Sequence, residues 1–345
     1  MSNVVSDELL TQEKPKTGLI KQIFTVIVAM LPWAIIAGLL SAAIYIEPKA
    51  VGGTIDPPIL ENRDTFYGLA HFSDGTVLAS GSYGKILSIK EGKVSLLETP
   101  TRNALQDIAV WDSKHAVAVG NDGVIVFSHD AGATWQEAVE VPRSDIANKL
   151  NRIRVGQNGF AIATGEMGAV LATYDFGKKW QRIREEEDSG WNDIAILADG
   201  QLVLVGEFGR ILLGHIGSNE WEEIEVMEEI SIMSVAFRDS LRGVAVGLDG
   251  LVLKTHDGGQ SWNRESVGIS DHLFSVVWRA DKKQWLTTGA LGRWATSSEA
   301  GWVNGVLDNR NLSWHVSSLP MGDIVWMAGA NLGTWDGESW SQLRL

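Results

Sequence analysis

Two hydrophobic patterns divide the chain. From Ile23 to Ile46 run 24 residues without a formal charge, bracketed by Lys21 and Glu47. Beyond residue 60, alternating stretches such as Leu105 to Trp111 lead into runs that end on glycine, such as His115 to Gly120, and then into a further run, Val124 to Ser128. The first pattern predicts one long apolar helix and the second predicts many short strands joined by hairpins.

The strand pattern repeats. An apolar-x-Gly-x-x-Gly-x-apolar motif occurs at Gly81/Gly84, Gly120/Gly123, Gly165/Gly168, Gly206/Gly209, Gly247/Gly250 and Gly289/Gly292, and a seventh copy at Gly329/Gly333 has one extra residue. Successive first glycines lie 39, 45, 41, 41, 42 and 40 residues apart. A two-layer sandwich does not impose such even periods, whereas blades closing radially into a ring do. The expected fold is all-β, a seven-bladed β-propeller over residues 65–345, preceded by a single N-terminal transmembrane helix. Glycine is expected in the pairs because hairpin turns require positive φ.

As a helix the apolar block is about 36 Å long, enough to cross a hydrocarbon core of about 30 Å. Lys14, Lys16 and Lys21 precede it. The positive-inside rule therefore makes residues 1–22 a cytoplasmic tail, 23–46 a membrane span and 47–64 a linker to a propeller on the exported side. Ser41 and Ala43 offer a small-x-small cleavage site, but the run from Ile23 to Leu40 exceeds a secretory core and favours an uncleaved anchor. Ala34, Gly38 and Ala42 put small side chains on one helical face, and Pro32 and Trp33 lie near mid-span. These five are candidates for packing against a partner's helices, with a passive anchor as the plainer alternative.

Three repeats carry a longer signature at identical spacing: Ser128, Asp130, Gly132 and Trp135; Thr173, Asp175, Gly177 and Trp180; Thr255, Asp257, Gly259 and Trp262. The hydroxyl and carboxylate suit turn amides, glycine permits the reversal, and tryptophan suits packing between blades. The box is read as folding chemistry, since the other four repeats lack most of it. His129 and His256, inside two boxes, read as solvated turn residues.

Composition narrows the function. The net charge of -14 argues against nucleic acid, and the absence of cysteine excludes disulfides and thiolate metal sites. The seven histidines are dispersed and form no zinc-ligand spacing. No phosphate loop or nucleophile elbow is present, so no cofactor, metal or small-molecule substrate is expected.

The boxes resemble the Asp-box, or BNR, repeat. Their combination with Gly-x-x-Gly is similar to that of the photosystem II assembly and stability factor family of β-propellers, over residues 65–345. The resemblance implies a non-enzymatic accessory protein that binds a membrane complex from its exported side. Photosynthetic members are lipid-anchored or lumenal, whereas this chain carries an apolar span. Relatives in non-photosynthetic bacteria are linked to resistance-nodulation-division transporters, which makes such an exporter a partner class, served by a subunit or an assembly factor. A photosystem assembly factor is the alternative. Asp boxes also occur in sialidases, but the Arg-Ile-Pro element these require is missing, and Arg152-Ile153-Arg154 does not replace it.

A partner surface is sought where the hairpins gather on one side of the ring. Before the second glycine stand Tyr83, Asp122, Met167, Phe208, Asp249, Leu291 and Leu332, and after it Lys85, Arg210 and Arg293 appear in blades one, four and six. Tyr83, Lys85, Met167, Phe208, Arg210, Leu291 and Arg293 are the candidate partner-binding residues, because apolar anchors beside cations suit interface centres. The bland alternative has the apolar residues folding inward and the cations rimming the channel. Glu185 to Asp188 and the carboxylates between Glu220 and Glu229 read as solvated surface.

Overall fold

The computed structural model describes residues 17–45, 59–61, 63–298, 301–309 and 312–344. It divides into two units, Met1–Pro57 and Pro58–Leu345.

The first unit contains the helix Thr17–Tyr45, with Pro32 inside it. Its stretch Lys21–Ala42 is long and apolar enough to cross a membrane, with a mean hydropathy of 2.5. The helix begins before the expected residue 23 and runs through Ser41. Side chains 21–41 are exposed all round, including Trp33, Ala34 and Gly38, and Ala42 is half-buried. Ile46 and the tail to residue 16 lie outside the described residues.

In the second unit the described residues form seven four-stranded antiparallel sheets, each from four consecutive strands. These are the expected blades. The first holds Phe66–His71, Val77–Gly81, Ile86–Lys90 and Lys93–Leu97. The last holds His315–Met321, Ile324–Gly329, Leu332–Trp335 and Trp340–Gln342. The second strands of blades one, two, three and five, such as Ala116–Gly120 and Gly243–Gly247, are buried at every residue, because a neighbouring blade covers each face. A strand buried on both faces loses hydrophobic alternation and becomes a continuous small-apolar run.

The interior is a ring of seven clusters, each between adjacent blades. Among the described residues closure uses no shared strand. Blade one meets blade seven through Phe66, Leu69 and Ala79 against Ala328 and Leu332, with Tyr67 stacked on Trp314 at 6.1 Å. Ile59 and Leu60 pack at this seam, so the compact unit starts ahead of the expected residue 65.

The boxes do what their chemistry suggests. Ser128 Oγ accepts from the Gly132 amide at 2.9 Å, and Asp130 accepts from the Thr134 amide at 2.8 Å. Thr173 and Asp175, and Thr255 and Asp257, repeat this pattern on the Gly177, Lys179, Gly259 and Ser261 amides. Trp135, Trp180 and Trp262 fill the gap to the preceding blade. The indoles of Trp180 and Trp262 donate to the Gly177 and Gly259 carbonyls at 3.0 Å, inside their own boxes.

His129 corrects its expectation. It lies edge-on to Phe127 at 5.0 Å and to His115 at 4.9 Å, and burial pushes its pKa down, with Lys178 adding to the effect. His256 is exposed, as expected.

His315 is 1% exposed. Its Nε2 faces the Asn331 Oδ1 at 2.9 Å, its ring meets Trp340, and Nδ1 is buried without a partner. A proton on Nδ1 would find no acceptor, and burial lowers the pKa from 6.5 to about 4. Because the unfolded chain binds that proton more readily, stability rises with pH between the folded and unfolded values and is lost as pH falls through this window. Lowering the pH from about 8 to about 5 should therefore remove about 2 kcal/mol through this residue. Urea midpoints for wild type and His315→Gln at both pH values test this. Equal acid losses in the two proteins would refute it.

Candidate partner-binding face

The first residue of each hairpin donates its amide to the residue just before its own blade's first strand. The seven bonds are Ser82 to Thr65, Asn121 to Ala104, Glu166 to Lys149, Glu207 to Gly190, Leu248 to Ser231, Ala290 to His272 and Ala330 to Trp314, at 2.8–3.1 Å. They place hairpins and blade-to-blade linkers together on one side of the ring.

The two glycines of each motif have different jobs. The first is extended, as at Gly120 with φ -166, where any residue fits the backbone. A Cβ there, however, would lie 2.0 Å from the Ala104 carbonyl oxygen, and the other six first glycines face a linker carbonyl at 1.9–2.5 Å. The first glycine therefore exists for close approach, and the expectation of positive φ holds only for the second in blades one to six, at φ 71 in Gly84 and 73 in Gly209, whereas Gly333 lies within a strand.

The residue before the second glycine is also left-handed: Tyr83 at φ 58, Asp122 at 57, Met167 at 51, Phe208 at 56, Asp249 at 53 and Leu291 at 54. Two successive positive φ values define a type I′ turn, whose first position favours Asn, Asp or Gly. Blades two and five follow that preference with Asp. Tyr, Met, Phe and Leu hold it against a steric penalty of about 1 kcal/mol each.

Three of these side chains reach solvent: Tyr83 is 54% exposed, Phe208 65% and Leu291 43%. Met167 is half-buried. Leu332, the seventh equivalent, is 3% exposed and belongs to the seam core, because the extra residue in its motif carries it into the third strand.

The candidate cations are engaged inside the chain. Lys85 pairs with Asp64 at 2.7 Å. Arg210 pairs with Glu223 at 2.7 Å and Glu187 at 3.2 Å, and lies over the Trp191 ring at 4.8 Å. The Arg210 hydrogen bond holds the Glu223 carboxyl below its ordinary value. Arg293 pairs with Asp271 at 2.7 Å. These three cations are bound to carboxylates of the chain itself. The cations beside the apolar residues are therefore not free charges.

A second cluster lies where the first strands line the ring's centre, and the sequence reading did not foresee it. Arg154 bridges Asp107 at 3.1 Å and Asp193 at 2.9 Å, both carboxylates being buried. Asp107 also accepts from the Ile153 amide, and Asp193 from the Val235 amide and Ser234 hydroxyl, tying each blade to the next. Arg152 reaches the Phe274 and Val316 carbonyls at 3.1 and 3.0 Å. Asp107, Arg152, Arg154 and Val316 border a cavity of about 350 Å³. The repeated strings Gln106-Asp107-Ile108-Ala109 and Asn192-Asp193-Ile194-Ala195 carried the signal. Among the described residues no three His, Asp or Glu side chains gather as metal ligands.

Fold, boxes and hairpin side together define an Asp-box β-propeller. The chain belongs to the family described as Photosynthesis system II assembly factor YCF48, whose model matches residues 88–208 and 213–301. Among solved structures, "YCF48 bound to D1 peptide" superposes with a TM-score of 0.64 at 16% identity, covering 80% of this chain and 95% of that one. YCF48 from Cyanidioschyzon merolae gives 0.64 at 14%, covering 78% and 94%. PorZ, a surface component of the Porphyromonas gingivalis type-IX secretion system, gives 0.62 at 14%, covering 82% of this chain and 38% of that one. No curated protein matches.

Proposed function

We propose that this protein is a non-enzymatic accessory factor that binds an integral membrane protein through the hairpin side of its propeller. The observation that carries this reading is one chain combining a family propeller with the apolar stretch Lys21–Ala42. The helix tethers the propeller to the bilayer, Lys14, Lys16 and Lys21 keep the tail in the cytoplasm, and the propeller works on the exported side. Pro32, Trp33, Ala34, Gly38 and Ala42 pack against helices of the partner. Tyr83, Met167, Phe208 and Leu291 contact it outside the membrane, while Lys85, Arg210 and Arg293 shape the turns beside them.

A transporter of the resistance-nodulation-division type is the partner class that suits a span together with an exported propeller. The PorZ propeller, from an envelope secretion system, has a similar fold. A second reading, a photosystem assembly factor, is favoured by the YCF48 structure solved with a D1 peptide.

Mild-detergent purification of the full chain from native membranes, with cross-linking mass spectrometry, separates these readings. A polytopic membrane protein cross-linked through the hairpin side is expected, and fixed stoichiometry marks a subunit while substoichiometric recovery marks an assembly factor. Recovery without any membrane protein would overturn the reading.

A further inference from the structure

The hairpin side differs from sector to sector. Over blade one, the Arg63 guanidinium covers Tyr83 at 5.2 Å. Over blade four and the linker that follows it the apolar groups stand uncovered. Phe208 is held out by its left-handed turn, and Met227 in the following linker is 100% exposed.

These groups are contiguous. The Phe208 amide donates to Ser231 Oγ at 3.4 Å, and a Cβ on Gly209 would lie 1.8 Å from the Glu228 carbonyl oxygen, so the hairpin lies on the linker that carries Met227. The Met167 hairpin lies on the preceding linker in the same way, the Gly168 amide donating to Ser189 O at 2.7 Å. Arg210 joins the preceding linker, through Glu187, to the outermost strand of blade four, through Glu223.

The same patch is acidic beyond what its cations neutralise. Arg184 and Arg210 are bound to Glu187 and Glu223, and Arg264 to Glu228. Glu185, Asp188, Glu225 and Glu229 are exposed, and among the described residues none takes part in an ion pair. An anionic lipid surface would be repelled, and a purely apolar partner would bury carboxylates without compensation. A segment with Lys or Arg flanking apolar side chains meets both demands.

We propose that the hairpin side of blades three to five docks a cationic amphipathic segment of the partner protein, with Phe208 and Met227 as apolar anchors and Glu185, Asp188, Glu225 and Glu229 as the charged rim. This rests on the reading of the hairpin side as the partner surface and adds the chemistry of what it takes.

The test uses the full chain in neutral detergent micelles, with empty micelles subtracting the detergent's own uptake. Three probes are compared: a fluorescent Leu/Lys amphipathic peptide, its Leu/Glu counterpart, and vesicles of phosphatidylcholine with phosphatidylglycerol. Saturable, salt-sensitive binding of the Leu/Lys peptide alone is expected. The double reversal Glu185→Lys/Glu229→Lys should weaken it about tenfold or more, equivalent to about 1.4 kcal/mol. Phe208→Asn should weaken it similarly while keeping or raising thermal stability, because Asn suits the left-handed turn, so a folding defect cannot mimic the result.

Equal binding of both peptides, affinity untouched by these variants, or capture by the anionic vesicles in place of the peptide would overturn the proposal. A membrane protein cross-linked through the hairpin side despite such a result would leave the broader function standing and remove only the cationic segment.

Discussion

Arg154→Leu is expected to destabilise the propeller by about 3 kcal/mol, because it leaves two buried carboxylates facing each other without their shared cation. Asp107 and Asp193 stay buried through their amide bonds to neighbouring blades, so the chain cannot simply turn them outward. Burial already raises the Asp107 pKa against the pull of Arg154, and without that cation its charged form becomes still less favourable in the folded state. The variant should therefore lose least at low pH, and its deficit should widen as pH rises through the carboxylate range. Adding Asp107→Asn and Asp193→Asn should restore most of the loss. Urea denaturation of the three proteins at neutral and acidic pH checks this, and an Arg154→Leu midpoint equal to wild type would show that the bridge contributes nothing.

Gly120→Ala is expected to cost about 3 kcal/mol, although its φ of -166 suits alanine. The added methyl would meet the Ala104 oxygen at 2.0 Å, and that carbonyl is already fixed by the Asn121 amide. Gly75 supplies the contrast. Its φ is +83 with nothing within 4 Å of an added Cβ, so Gly75→Ala should cost only about 1 kcal/mol, from backbone strain. Thermal denaturation of both variants separates steric approach from conformational freedom, and similar shifts would reject the distinction.

The repeat, its count and the side on which the hairpins gather were legible in the sequence. Each depends on local spacing, and spacing survives translation into structure. The pairing of cations was not legible. Lys85 finds Asp64 from before its blade, Arg293 finds Asp271 in the linker ahead, and Arg210 finds Glu223 on the outermost strand of its own blade. Nothing local marks those carboxylates as partners.

His129 was misjudged because the box position alone suggests solvent, whereas Phe176 from the next blade covers it. Arg152 was read only as a failed match to another family's motif. Its contact with Phe274, 122 residues away, exists because the ring closes. The exposed Phe208 was legible as a candidate, but its left-handed backbone, which argues that exposure is held against a penalty, becomes visible only in the fold.

Among the described residues every sheet is formed by consecutive strands, and the ends of the ring meet by side-chain packing, with no strand exchanged across the seam. A gene duplication that copies one such set of strands thus inserts a finished wedge, and a deletion removes one, without any repair of a clasp. What holds the ring at its present size is the fit of one wedge angle against the next.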